Sequence, residues 1–433
     1  MRVAIVGGGF AGLFTATRLL ANGVDDFVVL EASDHPGGVA RSVTRDGYTL
    51  EPGAGSFTLP HPDLSHVLGS EHVMPGAGTA HIRHVWDGER LVTLRPGPAG
   101  LLAPLVPARA KARALLEVFA TEPPGHDDES LDRFCRRRLG DDAGRTAAWL
   151  AASGVFAGDP HRLSARAAFP ALTGLVESDG SILRGAVRRL RSRPPDGLRP
   201  SVHVPLTTMS ALADHLAAVL GDRFRARHRV TAVRRVGSRW LIDGAGPITA
   251  DHVVIACAPD VAAGLVDGGL AAALRGSVTE PVIVVGVGGP ASQVPVPDGF
   301  GILTGPDAGT AIRGVLLESS YAPARAPAGH GLMKVIAGGA PRHRIVDSDD
   351  ATAIQTVGSE LARILGKDIE ASFVQVVRHE WGIPQYQIGH SRWLAAVEAH
   401  TPESMHLVGW GYRGVGMGQL GTDAVRVAAT VAA

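Results

Sequence analysis

The chain has 433 residues, and its 42 Lys and Arg are balanced by 42 Asp and Glu, so no net positive field recruits nucleic acid. The length predicts about two or three domains with ample chain for a large core. The 2 cysteines offer neither a disulfide framework nor a metal cluster and no apolar run or charged leader stands out, so we expect a cytoplasmic protein without a metal site, a membrane span or a secretion signal.

The chain opens with the pattern of a nucleotide-binding turn. Residues 2–6 (RVAIV) predict a short buried strand, and residues 11–22 predict a helix with apolar residues at helical spacing. Between them lies a GxGxxG motif formed by Gly7, Gly9 and Gly12. Such glycines allow a tight turn and close backbone approach, and the helix N-terminus receives a pyrophosphate. The alternative is an ordinary glycine turn.

The next residues favour the dinucleotide interpretation. Residues 27–30 (FVVL) predict a second strand, and Glu31 follows it at the spacing where the dinucleotide fingerprint places an acid for ribose hydroxyls. A glycine pair comes soon after, at Gly37 and Gly38. Residues 48–55 (YTLEPGAG) then indicate a strand that enters a backbone-lined loop.

The middle of the chain is predicted to be helical and its second half rich in strands. Ser130 is a candidate N-cap for a helix that Gly140 ends, and residues 209–220 predict a helix ended by glycine. Residues 192–200 (SRPPDGLRP) have the composition of a linker. Strands are predicted at 230–236, 253–256, 282–287 and 374–377, and a glycine loop with a helix at 418–432 ends the chain.

One segment, residues 101–120 (LLAPLVPARAKARALLEVFA), joins apolar and basic residues. It has two interpretations: a peripheral contact with a membrane surface, or a loop followed by a packed helix. Pro104 and Pro107 interrupt its first half and favour the second.

Several motifs resemble a known family. IVGGGFAGL, LEASDHPGGVARS and GYTLEPGAGSF are similar to the first FAD-binding stretch of the flavin amine oxidase superfamily. HEWGIPQYQIGH (379–390), GYRGVGMG (411–418) and GVFAGDPHRLSARAAFPAL (154–172) resemble its protoporphyrinogen oxidase branch. The closing motif departs from that branch, since Trp410 stands where the branch carries a polar residue and Gln419 and Leu420 also differ. Those differences leave porphyrinogen specificity open.

The resemblance implies an α/β fold in which a discontinuous Rossmann-like FAD-binding domain is combined with a mixed-sheet substrate domain and a helical insertion. The implied ranges are 1–56, 203–265 and 391–433 for the FAD-binding domain, 57–95 and 266–390 for the substrate domain, and 96–202 for the insertion. FAD is the implied cofactor. Its implied contacts are Gly7, Gly9, Phe10, Ala11, Gly12, Glu31, Ala32, Gly37, Gly38, Arg41, Gly53, Ala54, Gly55, Ser56, Val230, Gly409, Gly416 and Met417.

The implied activity is the desaturation of coproporphyrinogen III or protoporphyrinogen IX, with O2 as acceptor and H2O2 as product. Flavin performs the hydride chemistry, so we expect no protein catalytic group beyond it. Many amine oxidases carry a lysine on a substrate-domain strand, whereas residues 280–289 (EPVIVVGVGG) have none. Lys334 lies on a later apolar stretch and would fill that role only if the strands align differently; the favoured interpretation is a solvent-exposed lysine at a strand edge. This pattern favours a porphyrinogen.

The alternatives are a flavin oxidase of specialised metabolism that acts on an amine or an amino-acid-derived intermediate, and a redox-inactive FAD-binding scaffold. Candidate substrate contacts combine guanidinium groups for carboxylates with aromatic walls for a flat ring. They are Arg413, Trp410, Tyr386 and Arg184. The competing interpretation is a solvated position for the arginines and core packing for the aromatic residues. The oligomeric state stays open.

Overall fold

The computed structural model describes residues 1–95, 103–121, 128–192 and 199–432. Most of the predicted 192–200 linker therefore lies outside the described residues. The strands are β1 Val3–Val6, β2 Phe27–Leu30, β3 Val43–Arg45, β4 Tyr48–Leu50, β5 Phe57–Leu59, β6 Val73–Pro75, β7 Arg83–Trp86, β8 Leu91–Leu94, β9 Ser201–Pro205, β10 Phe224–Arg225, β11 Ala232–Val236, β12 Arg239–Asp243, β13 Ile248–Ala250, β14 His252–Ile255, β15 Thr279–Pro290, β16 Gly301–Thr304, β17 Ile312–Leu316, β18 His330–Gly338, β19 Phe373–Pro384 and β20 Met405–Leu407.

Helices flank these strands, and short 3₁₀ turns join several of them, among them Leu116–Phe119 and Pro323–Arg325. The helices are α1 Phe10–Ala21, α2 Ser65–Leu68, α3 Ala108–Leu115, α4 Leu131–Leu139, α5 Asp141–Phe156, α6 Ala165–Ala168, α7 Pro170–Asp179, α8 Ile182–Arg191, α9 Met209–Leu220, α10 Pro259–Ala263, α11 Gly268–Leu274, α12 Glu318–Tyr321, α13 Asp350–Leu365, α14 His390–His400 and α15 Met417–Ala432.

A parallel five-stranded sheet carries the nucleotide-binding motif. Its strand order is β10-β2-β1-β14-β20, and every residue of β1 and β2 is buried. Both faces are covered, which explains why these strands read as continuous apolar runs. On one face α1, α9 and α15 share a core, and on the other the sheet β11-β12-β13 packs together with α10 and α11. The Rossmann-like prediction is confirmed.

A mixed seven-stranded sheet forms the second large layer, in the order β19-β15-β18-β17-β16-β7-β8. Its pairs are antiparallel except for β16 with β7. β15 and β19 run for 12 residues each, well beyond the short strands predicted at 282–287 and 374–377. Helix α13 shares the apolar core of this sheet. Two small sheets, β3-β4 and β5-β9-β6, join the layers.

Helices α3 to α8 form the region predicted as a helical insertion. The Ser130 hydroxyl accepts a hydrogen bond from the Arg133 amide at 3.2 Å, and Gly140 ends α4 at φ 84°, so both predicted ends are confirmed. Ala110 is the one buried residue of α3, and the turn after it exposes 76% of Phe119. Residues 101 and 102 of the predicted membrane-surface segment lie outside the described residues. The domain ranges stay a prediction.

Candidate FAD and substrate site

Two positions of the opening turn must be glycine, because a side chain there would clash with neighbouring backbone. A Cβ placed on Gly12 would lie 2.0 Å from the Gly7 carbonyl oxygen, and one on Gly7 would lie 2.9 Å from the Ala256 oxygen. The Gly7 amide donates to Leu30 O at 2.9 Å, which fixes the turn at the carboxyl end of the sheet. Helix α1 therefore begins with first-turn amides that have no intrahelical acceptor and can bind an anion.

The second glycine motif touches the first. Gly37 donates its amide to Gly8 O at 2.9 Å, and a Cβ on Gly38 would lie 3.2 Å from the Gly9 Cα atom. Arg41 is exposed and has no hydrogen bond or ion pair within the described ranges. The backbones of the two motifs therefore form one continuous surface. The guanidinium of Arg41, unpaired among the described residues, follows shortly after Gly38 in the chain.

Glu31 lies where the fingerprint places it, at the end of β2. Its carboxylate accepts from the Gly8 amide at 2.6 Å and from the Ser33 amide at 2.8 Å. The His228 amide donates to Glu31 O at 2.8 Å, which brings the segment before β11 alongside. The buried Val230 follows, and its own amide has no acceptor among the residues that the structure describes. The residues predicted to meet ribose and adenine therefore lie together.

The loop 51–56 presents another row of free amides. Within the described parts of the chain, no atom accepts from the backbone N–H of Gly53, Ala54, Gly55 or Ser56. Its carbonyls, in contrast, are paired: Lys334 Nζ donates to Glu51 O at 2.8 Å and to Gly53 O at 3.1 Å. The free amides of this loop are therefore available to an acceptor-rich ligand.

Lys334 corrects an expectation from the sequence. Its strand β18 lies between β15 and β17 inside the seven-stranded sheet, and the side chain is 2% exposed. The expectation of a solvent-exposed lysine at a strand edge was wrong, because a single apolar stretch does not reveal which strands flank it. Sequence reasoning also missed its buried partners Glu318 and Arg325. The available signal was a lone lysine within an apolar run, which needs a counter-charge if the strand is internal.

Burial and charge act together on these groups. Burial opposes ionisation of Glu318, but Arg325 and Lys334 outweigh it and hold the pKa of that carboxyl below its usual value. Burial lowers the pKa of Lys334 against the opposing effect of Glu318. Burial raises the pKa of Glu51, whose carboxylate accepts from the Ser42 hydroxyl at 2.7 Å and the Met209 amide at 2.9 Å.

The closing loop is tied to the GIPQY segment through Tyr386. The Tyr386 hydroxyl donates to Trp410 O and accepts from the Gly414 amide at 2.7 Å. Beyond Gly414, the amides of residues 415–417 lead into α15 and have no acceptor among the described residues. A Cβ on Gly416 would meet nothing within 4 Å, so this helix N-terminus opens onto free space. The buried indole N–H of Trp410 also has no protein partner in the described ranges.

The candidate substrate residues have protein partners. Arg413 donates to Glu398 at 2.6 Å and to Leu407 O at 3.1 Å. Arg184 donates to three carbonyls of the helical region, those of Val118, Ala120 and Asp179. Tyr386 is 2% exposed and stacks on the His390 ring at 3.9 Å. Contact of these side chains and of Trp410 with substrate stays a prediction.

A separate cavity of about 180 Å³ lies behind the closing loop. Gly411 and Pro259 form one wall, and Tyr386, His390 and Trp393 line another. None of its lining residues is an arginine, so this cavity lacks the guanidinium groups expected for propionate side chains.

The free amides fit FAD in chemistry and in placement. Pyrophosphate oxygens suit the N-terminus of α1, and the carbonyl and ring-nitrogen acceptors of a flavin suit the amides of residues 53–56 and 415–417. The unpartnered Trp410 indole supplies one more buried donor near the closing loop. None of the described helices combines the length and the apolar character that a bilayer crossing needs.

Comparison with known proteins agrees with this site. The family described as “Flavin containing amine oxidoreductase” matches residues 10–417. The chain is 29% identical to the chloroplastic protoporphyrinogen oxidase of Oryza sativa subsp. japonica, covering 91% of this chain and 80% of the relative. It is 26% identical to coproporphyrinogen III oxidase of Bacillus subtilis (strain 168), covering 96% of this chain and 94% of that one.

Solved structures share the fold. The crystal structure of “Putative protoporphyrinogen oxidase” from Exiguobacterium sp. 255-15 superposes with a TM-score of 0.82 at 23% identity, covering 100% of this chain and 98% of the other.

Proposed function

Because the chain belongs to the flavin containing amine oxidoreductase family and is an FAD-dependent oxidoreductase, we propose that it oxidises a porphyrinogen to the porphyrin. The substrate is coproporphyrinogen III or protoporphyrinogen IX, and O2 accepts the electrons in the cytoplasm. Each pair of hydrogens removed from the macrocycle then reduces one O2 to one H2O2.

The Tyr386 contact carries this proposal. The GIPQY segment and the closing loop are the two motifs that resemble the porphyrinogen branch, and the Tyr386 hydroxyl joins them through Trp410 O and the Gly414 amide. The relatives named for porphyrinogen oxidation align over 91% and 96% of the chain. β15, the strand on which many amine oxidases carry a lysine, has none. These observations support a porphyrinogen over a simple amine.

The protein binds and orients the cofactor and the substrate, and its own groups perform no covalent step. Bound FAD supplies hydride acceptance at its ring. The first-turn amides of α1, with Gly9 and Gly38 behind them, hold the pyrophosphate, and Glu31 holds the ribose. The amides at the start of α15 stabilise negative charge, because a helix N-terminus favours an anion. The amides of residues 53–56, in the loop that follows β4, provide further hydrogen-bond donors.

The amine alternative has one observation in its favour. Lys334 is buried beside the loop 51–56, so the fold does contain an inward-facing lysine on a substrate-sheet strand. Its Nζ atom, however, already donates to two carbonyls. The lysine therefore has less freedom to hold a water or a substrate amine than an unpaired lysine would have.

The direct test is aerobic incubation of the purified holoprotein with coproporphyrinogen III and, separately, protoporphyrinogen IX. We expect porphyrin fluorescence and H2O2 to rise together, faster than in a sample of the Gly9→Ala variant, which serves as the control for non-enzymatic oxidation. No rate above that control with either substrate would remove the proposal. Under anaerobic conditions, bleaching of the flavin by an amine would support the alternative, and no bleaching by any substrate would indicate a redox-inactive scaffold.

We also propose a peripheral membrane contact at the helical region. Leu115, Leu116, Phe119 and Leu190 are between 57% and 76% exposed, and α8 places Arg188 and Arg189 on the same region. Apolar side chains beside guanidinium groups suit an anionic bilayer surface. Flotation with phosphatidylglycerol vesicles tests this contact: the wild type is expected to float, a Phe119→Ser, Leu190→Ser variant is expected to sediment, and equal behaviour would contradict it.

A further inference from the structure

Four charged side chains lie buried beneath the loop 51–56, and we name them the buried ionic cluster: Glu51, Glu318, Arg325 and Lys334. Their exposed fractions are 0%, 0%, 4% and 2%. Lys334 Nζ lies 3.5 Å from Glu318 Oε1, and Arg325 pairs with the other oxygen of the same carboxylate. The Arg325 guanidinium also donates to the Tyr321 hydroxyl at 3.0 Å. Charges this deeply buried persist only when they are paired, so Glu318, Arg325 and Lys334 form one ion-paired group. Glu51 joins this group through its backbone carbonyl, while its carboxyl group accepts from Ser42 and Met209.

The two cations hold one side of the loop. Lys334 donates to the carbonyls of Glu51 and Gly53, and Arg325 donates to that of Gly55. In a trans peptide the carbonyl and the next amide point in opposite directions. Fixing the Gly53 and Gly55 carbonyls toward the cluster therefore turns the Ala54 and Ser56 amides away from it, and those amides have no acceptor among the described residues.

We infer that Lys334 is a positioning residue for FAD: by holding the Gly53 carbonyl, it presents the Ala54 amide to the flavin. Arg325 does the same for the Ser56 amide. The Glu51 carbonyl that Lys334 also holds is followed by Pro52, which has no amide N–H, so this second hydrogen bond fixes the start of the loop. The inference rests on the proposed flavin site. It assigns Lys334 a different task from a lysine that acts on substrate, because an ammonium group has three donors and here two meet carbonyls while Glu318 faces the third.

The first experiment compares the holoproteins of Lys334→Met, Lys334→Arg and Lys367→Met with the wild type. Lys367 is the matched control, because its Nζ also donates to a backbone carbonyl, that of Ser292 at 3.0 Å, but in an exposed position. Loss of two charge-assisted hydrogen bonds behind the loop is expected to raise the FAD dissociation constant about tenfold in Lys334→Met. Lys334→Arg keeps the charge and the donors and is expected to recover most of the affinity, and Lys367→Met is expected to match the wild type.

The flavin reduction potential adds a measurement that a purely structural lysine would leave unchanged. Lys334→Met removes a positive charge behind the loop, which disfavours the reduced, negatively charged flavin. We expect the equilibrium for two-electron reduction to fall about tenfold, equivalent to about 30 mV. Titration with a reference dye of known potential measures it.

A double variant, Lys334→Met with Glu318→Gln, separates hydrogen bonding from charge. It removes one cation and one anion together, so the net charge beside the loop is unchanged, although Arg325 loses the carboxylate with which it pairs. If Lys334 positions the loop, the double variant still binds FAD about tenfold more weakly while its potential returns toward that of the wild type. If Lys334→Met does not fold, Lys334→Gln, which also removes the positive charge and leaves the Arg325–Glu318 pair intact, is measured in its place.

FAD affinity and potential equal to the wild type in both Lys334 variants would overturn the inference. So would an equal loss of affinity in Lys334→Arg and Lys334→Met with an unchanged potential, because that pattern indicates packing alone. Failure of the proposed function is a different result: wild-type protein then binds FAD normally but does not oxidise porphyrinogens, and the Lys334 comparison is still read from affinity and potential.

Discussion

Two of the segments that offer free backbone amides, the opening turn and the loop 51–56, are held in place by different forces. The opening turn is fixed chiefly by steric contact, since Gly12 leaves room for the Gly7 carbonyl, with one hydrogen bond from the Gly8 amide to the Glu31 carboxylate beside it. The loop 51–56 is fixed by Lys334, which reaches it from β18, and by Arg325, which reaches it from the turn Pro323–Arg325. The first arrangement depends mainly on the space that its glycines leave, whereas the second depends on buried charges that must remain paired.

The largest expected effect comes from a substitution in the sterically fixed opening turn. In Gly12→Ala the new Cβ would lie 2.0 Å from Gly7 O, so β1 and α1 must separate. We expect a loss of about 4 kcal/mol in the free energy of unfolding, because overpacking against backbone cannot relax by a side-chain rotation. Urea unfolding of the apoprotein measures it. Gly358→Ala is the control, since that helical position has nothing within 4 Å of a Cβ. Equal stability of the two variants would show that the turn is not sterically fixed.

The next largest effect comes from removing a charge in the buried ionic cluster that holds the loop 51–56. Glu318→Gln leaves Arg325 and Lys334 buried without their shared carboxylate, which costs about 3 kcal/mol at neutral pH. The pKa of Glu318 is lowered in the folded protein, so its contribution is present above the usual value of 4.5 and is lost as the pH falls through the folded value. Stability measured from pH 7 downward should therefore decline less steeply in the variant. A parallel decline in both proteins would contradict a stabilising carboxylate.

A gentler change within the opening turn separates folding from ligand binding. Gly9 has φ −70°, and its added Cβ would come no closer than 3.8 Å to Gly38, so Gly9→Ala fits the folded chain. The same methyl group would occupy the surface where a pyrophosphate approaches the backbone. We expect unchanged urea unfolding of the apoprotein and an FAD affinity reduced about 100-fold. Wild-type affinity measured by fluorescence quenching would place the pyrophosphate elsewhere.

These two loops also differ in how far the sequence predicts them. The opening turn was predictable because strand, glycines, helix and Glu31 are close in the chain and each has a local signature. The closing loop and its α15 were predictable for the same reason. The buried ionic cluster was not, because Lys334 and the carbonyls it holds are more than 280 positions apart. Which strands flank β18 follows from tertiary pairing, and no local pattern around Lys334 encodes it.

The partners of Arg413 and Arg184 show the same limit at the substrate side. Their motifs placed them near the closing loop and in the helical region, as the structure does. The direction of each guanidinium depends on Glu398 in one case and on carbonyls of a neighbouring turn in the other. Residue type and motif position therefore predicted location but not orientation.

The smallest expected effect tests whether ionisation of a residue in the parallel sheet changes the stability of the protein. His406 on β20 lies 3.2 Å from the His252 ring, and burial, reinforced by His252 and then Arg426, lowers its pKa to about 4. A histidine with a lowered folded pKa stabilises fully above its usual value of 6.5, and that stability is lost as the pH falls toward 4. The difference between 6.5 and about 4 corresponds to about 3 kcal/mol, and solvent screening around the ring reduces it. His406→Gln should therefore remove a pH-dependent loss of about 2 kcal/mol between those limits, measured by urea unfolding at several pH values. If the slope persists in the variant, another group in this sheet titrates, and the contrast between a steric and an ionic loop applies only to the turn itself.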